Sequence, residues 1–210
     1  MNIYDAINTR RTVRDFEDKA IEHQIIEKII SSGLKAPSND HMRNWEFIVI
    51  QDKNIRAAIL KNIPDTIPTA ENDVNNWLDS WESKNKQQRD MYLKAMPRQY
   101  SMLYNSGCLI IPLFRQEDPL LEPKTLSSLN EFASIWCCIE NILLAATAEG
   151  IAGVTRIPIE NEAKHLKSII NHPDDYIMPC YIGLGYPAEN VSQIIQNNID
   201  TKERIHLNKW

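Results

Sequence analysis

The stretch "NTRRTVRDF", residues 8–16, places Arg10, Arg11 and Arg14 within five positions of one another, with Thr12 between them. A guanidinium grips phosphate or carboxylate oxygens through two parallel hydrogen bonds and stays charged at any physiological pH. Neighbouring residues on a regular helix point about 100° apart, so these arginines converge only if a helix ends near Arg10 and the chain then turns. The residues alone leave two readings open: a solvated basic patch, or a local site for a strongly anionic group such as a phosphate. A second small cluster, Lys202 and Arg204 in "TKERI", has i, i+2 spacing, which on an extended segment puts both side chains on one face. The four cysteines, Cys108, Cys137, Cys138 and Cys180, show no CxxC spacing, and adjacent Cys137 and Cys138 cannot both be zinc ligands on one helix face. They are expected to be buried reduced thiols, and no metal site is expected. His165, His172 and His206 have no ligand-like spacing and read as surface or helix-end residues.

The elements that must carry these residues follow from periodicity. "NIYDAIN" sets Ile3, Ala6 and Ile7 on one helical face, with Asn2 and Asp5 spaced as an N-cap and its reciprocal partner; this helix delivers the chain to Arg10. "IEHQIIEKIISSGLKAP" predicts a second helix stopped by Gly33 and Pro37. "WEFIVIQD" predicts a strand buried on both faces, opened by the core residue Trp45, and a helix follows from about Lys53. "GCLIIPLF" predicts the next strand, and "RQEDPLLEPKT" a loop. "SSLNEFASIWCCIENILLAATAEG" is the longest predicted helix, apolar nearly all round and ended by Gly150, as suits the molecular centre or a subunit interface. A short strand in "AGVTRIP", a helix in "ENEAKHLKSIIN" and a strand in "YIMPCYIGLGY" complete the core. Between Pro64 and Gln99 the chain becomes polar, with Trp77, Trp81, Tyr92 and Met96 among charges. This predicts a helical excursion, either a lid or partner surface, or an amphipathic helix docking its aromatics on the core. The last twenty residues cannot bury much alone and are expected to pack across something else.

Length and charge bound the rest. A chain of 210 residues suffices for a single domain spanning 1–210 with a real core. A formal net charge of −5 supplies no basic field for nucleic acid or an anionic membrane surface, so any anion is bound locally. The N-terminus lacks a signal-peptide pattern, and the longest apolar runs fall short of the roughly 20 residues of a membrane span. A cytoplasmic protein acting on neither nucleic acid nor membrane is expected.

Taken in order, "NTRRTVRDF", "KAPSNDHMRNWEFIVI", "CIENILLAATAEGIAG", "DDYIMPCYIGLGYPAE" and the terminal KxR resemble the FMN-dependent nitroreductase family over nearly the whole chain. The resemblance implies an α+β, three-layer fold with a central mixed β-sheet flanked by helices, and a C-terminal tail extending over a partner subunit. It also implies a homodimer with FMN at the interface, reduced by NADH or NADPH. Carried over by position, Arg10, Arg11, Thr12 and Arg14 would grip the FMN phosphate and ribityl chain and approach the pyrimidine edge, with Lys202 and Arg204 also on the phosphate. Pro37, Ser38 and Asn39 would lie along the isoalloxazine from the other subunit. Arg156, Ile157 and Pro158 would present backbone near N5, or, with a shift of about three residues, "PIEN" would. A fixed cation near N1 and C2=O favours hydride acceptance, because reduced FMN is largely an anion; Arg14 is the candidate.

The implied activity is ping-pong hydride transfer to a nitro, quinone or enone-like acceptor, with no side-chain acid or nucleophile required. The chain departs from the family pattern at His41, Arg43 and Asn44. His41 and Arg43 add positive charge beside the flavin edge or substrate mouth, and His41 is a candidate proton donor. These departures and the polar excursion point towards a different, anionic acceptor. Reductive dehalogenation, flavin fragmentation and non-catalytic flavin binding are the alternatives on the same fold, and a structural helical dimer with solvated arginines is the alternative without flavin.

Overall fold

The computed structural model describes residues 1–82, 85–191 and 199–210. Its centre is β2 (Cys108–Arg115), the strand predicted from "GCLIIPLF". Successive side chains of β2 enter two different cores. Cys108, Ile110 and Phe114 face one, while Leu109, Ile111 and Leu113 face the other. That alternation explains why the segment reads as a continuous apolar run: a strand covered on both faces has no polar side. β1 (Trp45–Ile50) pairs with β2 along its whole length, from Trp45 opposite Phe114 to Ile50 opposite Leu109. On the other side, β5 (Tyr181–Gly185) pairs with the first part of β2 and the two-residue β4 (Tyr176–Ile177) with the last part. Pro112 falls in the stretch of β2 between them that has no strand partner on that side, where a missing N–H costs least. β3 (Ala152–Arg156) closes the order β1-β2-β5-β3.

One helical layer holds α2 (His23–Gly33) and α8 (Asn130–Ala148), which supply Ile26, Ile29, Ile135, Cys138, Ile139 and Ile142 to the first core. Gly33 allows this packing. A Cβ there would lie 2.6 Å from Ile142 Cγ1. α8 stops where the sequence predicts, with Gly150 in the left-handed region at φ +74°. The opposite layer holds α3 (Lys53–Leu60), α7 (Ser101–Tyr104) and α9 (Glu160–Ile170), contributing Ile59, Leu60, Met102, Leu103 and Leu166. The excursion is helical, as expected: α4 (Ile63–Thr66), α5 (Glu71–Ser80), α6 (Lys86–Ala95) and a 3₁₀ turn at Met96–Arg98.

Four expectations need correction. The sheet is not mixed among its described strands, since every strand pairing is antiparallel; the parallel link is a single bridge from Thr12 to Gly153. β1 is not buried on both faces: it is the sheet's edge, only Trp45 and Ile50 are buried, and Glu46 is exposed. The strand in "YIMPCYIGLGY" is broken into β4 and β5 by Met178–Cys180. The run Leu126–Ala148, 23 residues containing an 18-residue stretch of mean hydropathy 1.3, does reach the length and composition of a membrane span. It nevertheless packs on the N-terminal helix Ile3–Thr9 and on α2, β2 and β3, which makes it a core helix. Residues 192–198, part of the tail expected to pack elsewhere, lie outside the described residues. Cys108, Cys138 and Cys180 are buried and free, with burial pushing the thiols of Cys108 and Cys138 up to about 12, whereas Cys137 is exposed.

A cation locks the second core. Arg56 on α3 is fully buried, and its guanidinium donates to Tyr104 O (2.7 Å), Ser106 O and Ile50 O (2.9 Å). It thus ties α3 to the ends of β1 and α7. Arg56→Met leaves those carbonyls without donors and is expected to destabilise the protein by about 3 kcal/mol, read as a lower midpoint at unchanged slope in urea unfolding.

Candidate functional site

The first helix, α1 (Ile3–Thr9), is opened by the reciprocal cap the sequence predicts: Asn2 Oδ1 accepts from Asp5 N at 3.0 Å, and Asp5 Oδ2 from Asn2 N at 3.3 Å. It ends at Thr9. Arg10 is the C-cap, with its N–H on Ala6 O and its own backbone turned to φ −54°, ψ 125°. This is the turn that convergence of the arginines required. Residues 12–17 then run extended and are pinned at both ends. Thr12 bridges to Gly153 and Val13 N–H donates to Gly153 O at 3.2 Å; Phe16 bridges to Pro187, and Glu17 N–H donates to Tyr186 O at 2.9 Å. Gly153 is needed because Leu143 of α8 would lie 2.7 Å from a Cβ there.

The three arginines are engaged very differently. Arg10 Nε lies 3.4 Å from Glu140 Oε1 on α8, a partly exposed and therefore weak pair. Arg11 folds back on the helix end, its Nη1 donating to Asn8 O (2.8 Å) and Arg10 O (2.7 Å). Both line a cavity of about 220 Å³ with Thr9, Val13, Gly150 and Pro187. Arg14 has no hydrogen-bond partner among the described residues, and its Nε is buried without one. Burial, and then the like charge of Arg98, hold its pKa below the ordinary arginine value, while Asp15 pulls the other way. A half-buried cation set beside another cation, without a carboxylate partner of its own, is a site that lacks an anion.

The "APSND" segment is anchored on the start of α8. Asn39 N–H donates to Ser134 Oγ at 3.1 Å, and its side chain bonds Asn130 and Glu131. Ser38 Oγ accepts from Arg43 N at 3.2 Å, and Pro37 is exposed. Asp40, His41 and Arg43 all occupy the left-handed region, at φ 49°, 56° and 46°, so the exposed loop carrying His41 and Arg43 is strained. At the end of β3, the Arg156 side chain is occupied elsewhere: it is buried, forked onto Glu162 of α9 through Nη1–Oε2 and Nη2–Oε1 (2.6 Å). Only its backbone is available to a ligand, together with that of exposed Ile157 and half-buried Pro158. Burial and the Glu162 charge raise the pKa of the adjacent buried Tyr181 hydroxyl. Lys202 and Arg204 are exposed in a 3₁₀ turn, Thr201–Arg204, capped by Asp200. The extended segment expected there is therefore corrected, and i, i+2 spacing no longer shares a face. Among the described residues no hydrogen bond or ion pair joins this turn to Arg10, Arg11 or Arg14.

Sequence reasoning missed the residues that set the local field. Glu162 signals itself only as a carboxylate three positions after Ile159, where its Oε2 also accepts the Ile159 N–H at 3.2 Å. Arg98 gives no local signal at all. It reaches Asp15 (Nε–Oδ1 3.2 Å) across 83 residues of sequence. The excursion's Trp77, Trp81 and Tyr92 pack on one another with centroids 3.9–5.9 Å apart, over a small core of Val74, Leu78 and Met96. They do not dock singly on the main core.

An α+β sheet covered by two helical layers, with an arginine segment stapled across the sheet's edge, matches what comparison finds. Residues 7–186 match the model of the Nitroreductase family, and the chain belongs to that family. Over its whole length it is 27% identical to a Methanothermobacter thermautotrophicus protein, 88% of which is covered, whose provisional name is NADH dehydrogenase/NAD(P)H nitroreductase. Over 89% of its length it is 27% identical to the iodotyrosine deiodinase of Haliscomenobacter hydrossis, covering 79% of that protein. Among solved structures, an oxidized iodotyrosine deiodinase bound to FMN and 3-iodo-L-tyrosine superposes with a TM-score of 0.73 at 16% identity, both chains fully covered. An FMN-dependent nitroreductase of Clostridium difficile superposes at 0.68 with 19% identity, 98% of each chain covered. These two likenesses establish the nitroreductase fold.

The Arg156–Glu162 fork holds the β3–α9 connection. Glu162→Ala strands a buried guanidinium and is expected to cost about 3–5 kcal/mol. Arg156→Met combined with Glu162→Leu removes both charges and should recover most of that loss in the same chemical-denaturation measurement.

Proposed function

We infer that this chain is an FMN-dependent oxidoreductase that takes reducing equivalents from NADH or NADPH and delivers them to a nitro, quinone or enone-like small molecule. The observation that carries this reading is Arg14: a half-buried guanidinium with no partner, beside a second cation, on a segment rigidly stapled to the sheet. FMN fits such a site, being anionic at its phosphate and, when reduced, at its pyrimidine edge. Bound there, it supplies the hydride-accepting and hydride-donating chemistry that no side chain offers.

The chain's own residues do the rest. Arg10 and Arg11 give up weak or local bonds to hold the phosphate, with Thr12 at the ribityl chain and Lys202 and Arg204 from the tail. Arg14 sets a positive potential at the pyrimidine edge, preorganised because residues 12–17 cannot swing away. Backbone at Arg156, Ile157 and Pro158 borders the ring edge, held by the buried fork. Pro37, Ser38 and Asn39 line the ring from a second subunit, placing His41 and Arg43 at the mouth, where they favour an anionic acceptor. A homodimer is also favoured by α1, whose Ile3, Tyr4 and Ile7 are exposed beside an apolar cavity of about 380 Å³ that reaches Leu144 and Ala148 of α8. The reading places the protein in the cytoplasm, acting on neither nucleic acid nor membrane.

A second reading, reductive dehalogenation of an aromatic at the same site, is favoured by the relatives named iodotyrosine deiodinase and by the aromatic cluster of the excursion. Product analysis separates the two: halide release from a halogenated phenol against reduction of a nitroaromatic or quinone.

Anaerobic titration of the FMN-reconstituted protein with NADPH and NADH is expected to bleach the flavin's visible band. Bound flavin that neither reductant bleaches would replace an NAD(P)H-dependent enzyme with a flavin carrier. Arg10→Ala should weaken FMN roughly ten- to hundredfold, the worth of one charge-assisted contact, measured by fluorescence titration. The apo protein is expected to sediment as a dimer at micromolar concentration.

A further inference from the structure

Arg98 lies at the root of the inserted helices, in the 3₁₀ turn Met96–Arg98, far in sequence from every residue assigned above. It is held at two points: Nη1 donates to Lys94 O at 2.7 Å and Nε to Asp15 Oδ1 at 3.2 Å. Asp15 is the residue next to Arg14, and its charge acts on that guanidinium against the effect of Arg98. The backbone at Asp15 is fixed, because its carbonyl accepts the N–H of Ala188 at 3.1 Å and Phe16 is bridged to Pro187. Asp15 forms its ion pair with Arg98, and Arg14 has no ion pair at all among the described residues.

Resting on the flavin reading, we propose that Arg98 is a positioning residue for Arg14: by occupying Asp15 it keeps the neighbouring guanidinium unneutralised, so that its full charge meets the pyrimidine edge of reduced FMN. One carboxylate, paired with Arg98, stands beside two cations here, leaving a net positive charge where the bound group gains a negative one. Electrostatics at Arg14 agrees in sign, since Arg98 repels its proton and Asp15 retains it. The consequence is a coupling between excursion and cofactor. Any acceptor or contact that displaces the Met96–Arg98 turn frees Asp15 and lowers the affinity for the reduced cofactor without touching the phosphate grip.

Arg98 and Asp15 are both about half exposed, so their substitution does not endanger the fold. The quantity to measure is the affinity of reduced relative to oxidised FMN, read from the midpoint potential of protein-bound FMN against free FMN by dye equilibration. Arg98→Gln should lower that ratio roughly three- to tenfold, which for a two-electron couple is about 15–30 mV more negative. Affinity for oxidised FMN should stay within twofold. Arg98→Lys should keep most of the wild-type ratio, and Arg98→Gln combined with Asp15→Asn should restore it, because no carboxylate is left to claim Arg14. An unchanged potential in Arg98→Gln overturns the inference. So does a double variant no better than the single one, which would mean that Arg98 acts by its own charge alone. A wild-type protein that binds no FMN overturns the flavin reading, and this inference falls with it.

Discussion

Everything in this molecule hangs on a strand with no exposed face. β2 sends alternate side chains into two cores, and β5 does the same with Ile182 and Leu184 on one side and Tyr181 on the other. Neither core closes without a helical layer over it, so the hydrophobic effect demands the three-layer arrangement. The edges are then determined too. β1 closes one side, and β3, on the other, is where the arginine segment docks through Thr12 and Val13.

That docking converts a short basic motif into a site. An arginine on a solvated loop finds a carboxylate or water, and its field is screened. Arg14 is instead on a segment bonded at Gly153, Tyr186 and Ala188, with its Nε buried. The arrangement is unfavourable for the protein alone and becomes favourable when an anion arrives, the pattern expected where folding energy is given up for binding. The Arg156–Glu162 fork is the opposite case: a buried charge matched within the chain, which holds the β3–α9 connection in place.

The excursion's aromatics and its small apolar core make it a unit of its own, yet its C-terminal root returns to the segment carrying Arg14 through Arg98 and Asp15. An ion pair thereby ties the inserted helices to the segment that carries Arg14.

Local order was legible in the residues themselves. The Asn2–Asp5 cap, the stop at Gly150, the apolar β2 and the helix turn at Arg10 depend on neighbours within a few positions, and the ordered motifs identify the family. What the residues could not reveal were pairings that depend on distant chain: Arg156 given to Glu162, Asp15 given to Arg98, β1 at an edge and not between strands, and a 3₁₀ turn where Lys202 and Arg204 suggested extension. Sequence by itself determined which charges the chain carries and where its first helix is capped, its long helix stops and its central strand runs, because capping and periodicity are short-range. Only the tertiary structure decided which of those charges are neutralised, because the partner of a buried or stapled side chain is chosen by packing between segments far apart in sequence.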